Sequence, residues 1–159
     1  MKTFIIGLGN PILGDDGIGP RAAAALAPLL AHRADIEVKE LGMGGMRLME
    51  ALDGADRAIV LDAMVTGSNP PGTIGLWPLA DLPGTKNITC LHDTRLITAL
   101  EVGRALGMDL PTNIDVFGVE ATAVDTFTES LTLPVAQALP TLVNRVLEAL
   151  SEPPVSLCA

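Results

Sequence analysis

Aromatic side chains are almost missing from this chain. Tyrosine is absent, tryptophan occurs once and phenylalanine three times in 159 residues, so Ala, Leu and Val must fill the core. Cysteine is equally scarce. Cys90 and Cys158 cannot make a disulfide framework, which suits a reducing compartment. Basic residues are few, ten against nineteen acidic, and the resulting charge of −9 repels nucleic-acid backbones and anionic membranes. Long apolar runs are missing too. Ala22 to Ala31 is interrupted by Pro28 and falls well short of the roughly 20 residues that span a bilayer. The opening, Met1 to Asn10, has one basic residue, a short apolar run and no small-residue cleavage site after it, so it does not read as a secretory signal. A cytoplasmic protein with no nucleic-acid and no membrane partner is expected. With 48% hydrophobic and 18% charged residues, intrinsic disorder is excluded.

The length suits one domain, residues 1–151, followed by a loose tail at 152–159. No repeat, low-complexity tract or linker divides it. Phe4 to Leu8 is a short apolar run bounded by glycines, the pattern of a strand buried on both faces. A polar loop to Gly19 leads into a helix over Pro20 to Leu30. Ile36 to Leu41 alternates as a strand with one wet face. Gly42 to Gly45 is a loop and Met46 to Leu52 a short helix. Arg57 to Ala63 is a second buried strand carrying Asp62 near its end. Strands over Thr73 to Leu79 and Ile114 to Val119 follow, with helices over Asp93 to Leu106 and Pro134 to Leu150. Strands and helices alternate, which predicts an α/β fold: a three-layer, mainly parallel twisted sheet of about five strands with helices on both faces. Ligands of such sheets bind beyond the strands' carboxyl ends.

The first loop, Gly7-Leu8-Gly9-Asn10-Pro11-Ile12, is not a dinucleotide fingerprint, because Ile12 stands where the third glycine belongs. Asp15 and Asp16 would repel a pyrophosphate. No phosphate-binding lysine follows, so it is no P-loop either. The chemistry favours a cation. Asp16 and Asp62 at two strand ends, with His92 just after Ile88 to Leu91, would make a three-ligand set with open positions. Spacing alone leaves plainer roles open: a helix cap at Asp15 or Asp16, backbone donors for Asp62, an ordinary loop position for His92.

Gly7-Leu8-Gly9-Asn10, Asp15 to Gly19, Asp62-Ala63 after an apolar strand and the lone His92 together resemble the hydrogenase maturation proteases. Gly42, Gly44-Gly45-Met46, Pro71-Gly72-Thr73 and Phe117 to Glu120 extend the resemblance along most of the chain. The resemblance implies an endopeptidase of the aspartyl type, which removes the C-terminal extension of a nickel–iron hydrogenase large-subunit precursor after nickel insertion. It assigns nickel contact and catalysis to Asp16, Asp62 and His92. The nickel is supplied by the precursor, and no organic cofactor is implied. The run His92-Asp93-Thr94-Arg95-Leu96 departs from the family's more usual sequence, with Asp93 either capping a helix or adding an acidic neighbour. No Ser, Cys or Thr nucleophile motif is present, and Cys90 reads as a core thiol, so activated water is the nucleophile expected.

Gly42, Gly44 and Gly45 are candidates for a flexible substrate-contacting lip, or equally for a tight turn. Met43, Met46 and Met49 read as core filling more than as an adaptable peptide surface. Arg21, Arg47 and Arg57 read as solvated charges and His32 as a surface residue near a helix end. A monomer is expected. Two other readings remain: a non-catalytic nickel-binding maturation chaperone, and a peptidyl-tRNA hydrolase. The second shares Gly7 to Pro11 but usually has a basic surface and an early histidine, neither of which this chain shows.

Overall fold

A computed structural model describes residues 1–83, 85–88 and 96–153. Five strands form one sheet: β1 (Thr3–Leu8), β2 (Ile36–Leu41), β3 (Arg57–Met64), β4 (Ile74–Pro78) and β5 (Asn113–Glu120). Their spatial order is β2-β1-β3-β5-β4. The first four in that order run parallel, and β4 lies antiparallel to β5 at one edge. The helices are α1 (Ile18–Leu30), α2 (Gly45–Ala51), α3 (Leu96–Ala105) and α4 (Leu133–Ser151), with short 3-10 turns at Gly14–Gly17 and Leu79–Asp81. The sequence pattern therefore predicts every one of these strands and α-helices to within a few residues, while the two 3-10 turns fall in stretches read as loop or strand end; the strand over Thr73 to Leu79 is the antiparallel one. Asp93 and the tail beyond 153 lie outside the described residues.

Strand periodicity sorts the core into two layers. Ile5, Ile59, Leu61, Phe117 and Val119 point to one face and pack with Ile18, Ala22 and Leu26 of α1 and Val135, Leu142 and Val146 of α4. Phe4, Ile6, Ala58, Val60, Ile114 and Val116 point to the other and meet Leu48 and Met49 of α2 and Leu96, Ala99 and Leu100 of α3. The apolar stripe Ile18–Ala22–Leu26–Leu30 repeats every four residues, which keeps one face of α1 on the sheet. That helix starts almost in contact with β1 and β3. A side chain on Gly19 would collide with the carbonyl oxygens of Leu8 and Leu61.

Only Met49 of the three clustered methionines is core; Met43 and Met46 are exposed. Two arginines also depart from the solvated role expected of them. Arg21 is half-buried and donates to the Glu129 carbonyl. Arg57, at the start of β3, is 3% exposed. Its guanidinium donates to Asp115 of β5 at 3.1 Å and to the Glu152 carbonyl at 3.0 Å. The parallel register places Arg57 opposite Asn113, two residues from Asp115, so the pairing is a product of tertiary structure that no local spacing reveals. Removing one member of a buried pair leaves the other charge without compensation. Asp115→Ala should therefore lower unfolding free energy by about 3–5 kcal/mol, measured by chemical denaturation. A loss below about 1 kcal/mol would show that the pair is dispensable.

Candidate active site

The strand order reverses between β1 and β3. From β1 the chain crosses to β2 on one side, whereas β3 continues toward β5 on the other. Such a switch point opens a crevice at the carboxyl ends of the two strands. The register shows how it opens. Pairing of β1 with β3 stops at Gly7–Leu61, while β3 runs on beside β5 to Met64–Glu120. Asp62 is thus the first residue of β3 past the end of its β1 pairing. It lies on the α2/α3 face and is 1% exposed. Past Leu8 the chain turns away through Gly9, whose φ of +133° suits glycine. The space for a side chain at Gly9 is filled by the Asp16 carbonyl. The chain then returns through the 3-10 turn that carries Asp15 and Asp16, both buried.

Asp16 and Asp62 come together across this crevice. One nitrogen, Nδ2 of Asn87, donates to Asp16 Oδ1 at 2.8 Å and to Asp62 Oδ1 at 2.7 Å. The Asn87 backbone N–H donates to Asp62 Oδ2 at 3.0 Å, and Ala63 N–H to Asp62 Oδ1 at 2.9 Å. Asp16 Oδ2 accepts from the Asn10 backbone at 2.9 Å. Lys86 Nζ stands 3.8 Å from the same oxygen and is also bound to the Val124 carbonyl at 2.5 Å and to Asp125 at 3.3 Å. Burial pushes the Asp62 carboxyl up to about 6, and the neighbouring Asp16 charge adds to the rise; hydrogen bonds from Thr85 and Asn87 oppose it. His92 lies outside the described residues, as do Cys90 and Arg95. Among the described residues no cluster of three His, Cys, Asp or Glu side chains is placed to hold a metal ion.

The two adjacent aspartates of the first loop do different work, and neither caps α1 through its side chain. Asp15 accepts hydrogen bonds from the backbones of Thr122, Ala123 and Thr132 and from the Thr132 hydroxyl, at 2.7–3.2 Å. It ties the loop to the segment between β5 and α4. Asp16 faces the crevice. In the glycine loop, Gly42 is exposed, whereas Gly44 and Gly45 are buried. Gly44 lies against the Asn87 carbonyl, where a Cβ would collide, and Gly45 has φ +62°. The half of the loop nearest the crevice is thus a fixed support for Asn87. Sequence reasoning missed Asn87 and Lys86. An Asn and a Lys in a polar loop carry no spacing signal, and only the closed structure brings them to the carboxylates.

Two measurements follow. Asp15→Ala strands several buried donors and should cost at least about 2 kcal/mol of stability in chemical denaturation; a neutral change would mean the loop is held by other contacts. Asp62 makes stability pH-dependent with a definite sign. At acid pH it is protonated in both states and costs nothing. As pH rises from the ordinary carboxylate range, near 3.8, toward about 6, the unfolded chain ionises while the folded chain still holds its proton. Folding is therefore penalised progressively, reaching roughly 3 kcal/mol at neutral pH. The stability of Asp62→Asn relative to the parent should accordingly increase between pH 4 and pH 7. A difference that stays flat across that range would refute the raised value.

Comparison with known proteins agrees with this architecture. A family model described as hydrogenase maturation protease matches residues 20–149. A hydrogenase expression/formation protein HupD of Thiocapsa roseopersicina is 28% identical over 154 residues, covering 95% of this chain and 68% of its own length. The hydrogenase 2 maturation protease of Escherichia coli is 28% identical over 153 residues, covering 96% and 92%. Among solved structures, the hydrogenase maturating endopeptidase HybD from E. coli superposes with a TM-score of 0.76 at 26% identity, over 95% of this chain and 93% of that one. These matches favour a peptidase over both the chaperone and the peptidyl-tRNA hydrolase suggested by Gly7 to Pro11. This chain belongs to the hydrogenase maturation protease family and is a hydrolase of the peptidase class.

Proposed function

We propose that this peptidase removes the C-terminal extension of a nickel–iron hydrogenase large-subunit precursor, and that it acts once nickel has entered that precursor. The nickel is then part of the substrate, and no organic cofactor is needed. Asp16, Asp62 and His92 are the side chains assigned to contact it. Two carboxylates and an imidazole suit a borderline transition ion better than magnesium or calcium. Nickel bound in the precursor would supply Lewis acidity at the scissile carbonyl or to a water molecule. The chain's own contribution is to present one carboxylate from the end of β3 and one from the 3-10 turn after β1, and to position the peptide beside them. Exposed Gly42 at its edge is the part of the glycine loop left to meet the substrate. We place the reaction in the cytoplasm, in keeping with the scarcity of cysteine.

The single observation that supports this reading is the convergence of Asp16 and Asp62 on one nitrogen atom at the topological switch point. Asn87 is neutral and the Lys86 ammonium reaches only Asp16, at 3.8 Å, so the pair keeps negative charge that a cation between the two would offset.

The test is a processing assay on a nickel-loaded large-subunit precursor, read as a small downward shift on a gel. The parent protein should cut it and leave the nickel-free precursor whole. Asp16→Asn, Asp62→Asn and His92→Ala should each lower the rate by about a hundredfold or more while keeping the folded circular-dichroism spectrum, the scale set by loss of a reacting group. Full activity in all three would remove the assignment of the site. Equal cutting of both precursors would remove the dependence on nickel.

A further inference from the structure

Asn87 sits where a cation bridging the two carboxylates would have to sit. Its Nδ2 atom directs one hydrogen to Asp16 and the other to Asp62, each within 2.8 Å. A metal taking one oxygen from each carboxylate at about 2.0–2.2 Å would need the same space. The amide and the ion therefore exclude one another.

The surroundings make the side chain the movable part. The backbone on either side is pinned: Lys86 N–H donates to the Ala63 carbonyl at 2.9 Å, Asn87 N–H to Asp62 at 3.0 Å, and Ile88 N–H to the Thr85 hydroxyl at 3.1 Å. Gly44 closes against the Asn87 carbonyl. Yet the residue is only half-buried, so its carboxamide has a path to solvent by rotation about its side-chain bonds while the backbone stays.

We propose that Asn87 is a built-in placeholder. In the free protein its carboxamide satisfies both carboxylates and closes the site to stray cations. A cation delivered by the substrate displaces the amide, which swings out and leaves the backbone bond to Asp62 in place. Asn87 is thus a positioning and selectivity residue, acting through Asp16 and Asp62 and not on the scissile bond. The inference rests on the reading of those two aspartates as cation ligands.

Isothermal titration of the full chain with nickel chloride distinguishes the two ideas. Asn87→Ala removes the competitor and should bind nickel about tenfold more tightly than the parent, a shift of ~1.4 kcal/mol. Equal, weaker or undetectable binding by Asn87→Ala overturns the placeholder, because a merely structural or ligating Asn87 would lower affinity when lost. Asp62→Asn tests the underlying reading separately. If it binds nickel as well as the parent does, the aspartates are not the ligands and that reading fails first. A second measurement does not depend on any variant folding. In 15N-labelled parent protein, the Asn87 side-chain amide resonances should shift on saturation with cadmium, a diamagnetic probe. Resonances that stay in place at saturation overturn the displacement.

Discussion

Two carboxylates brought together away from water govern this structure. Buried anions need donors, and a pair of them also repel each other, so the surrounding chain must supply hydrogen bonds from several directions at once. Here the donors come from separate places. Asn10 lies on the loop after β1, Ala63 on β3 itself, and Asn87 on the segment after the second 3-10 turn, with the Lys86 ammonium 3.8 Å from Asp16 as an ion pair. Each element around the crevice is in effect anchored to one of the two anions. The carboxylates therefore hold the crevice together as much as the crevice holds them, even though Asp62 resists ionisation there.

The sheet makes this possible by stopping one strand early. Were β1 to go on pairing past Leu61, it would take the backbone edge of β3 that Lys86 now occupies through the Ala63 carbonyl, and the segment carrying Asn87 would lose its place beside Asp62. Because β1 leaves at Gly9, the last residues of β3 keep β5 on one side, and on the other they receive the segment that carries Lys86 and Asn87. The neighbouring loops are then fixed by acidic residues that do not face the crevice. Asp15 binds the segment before α4, and Glu120, at the end of β5, accepts from the Thr66 and Gly67 backbones and the Thr66 hydroxyl at 2.8–2.9 Å. Acidic side chains thus hold the rim of the crevice as well as its floor. Asp15 and Asp16 differ by one position in sequence and by a complete change of task.

The parts of this arrangement that were legible in the sequence are those fixed by periodicity and topology. Apolar runs ending on Leu8 and near Asp62 read as buried parallel strands, and the ends of such strands converge, so the meeting of Asp16 and Asp62 could be anticipated. What stayed hidden depends on pairings between distant segments. Arg57 looks like any exposed arginine until β3 is set beside β5 and Asp115 comes within reach. Asp15 looks like a helix cap until the residues before α4 fold over it. Asn87 is the clearest case, because asparagine is common in turns and nothing near it in the chain marks it. Its meaning lies in being equidistant, within 0.1 Å, from oxygens that stand 71 and 25 positions away.

That the bridging group is an amide and not an ammonium has a physical consequence. Lys86 is the next residue, carries a full positive charge and stands 3.8 Å from Asp16 Oδ2, yet it is drawn toward the Val124 carbonyl and Asp125 and does not occupy the centre. An ammonium between two buried carboxylates would be held by charge–charge attraction in a medium of low polarity, and expelling it would strand a cation. A carboxamide contributes hydrogen bonds alone. It stabilises the anions without neutralising them, and leaves the net negative charge of the pair to attract a cation from outside. A neutral carboxamide that rotated away would regain hydrogen bonds to water and strand no charge of its own. An ion entering between two carboxylates would displace a neutral donor more readily than a competing charge, and the offset position of Lys86 keeps the positive charge near Asp16 without filling the place between the two carboxylates.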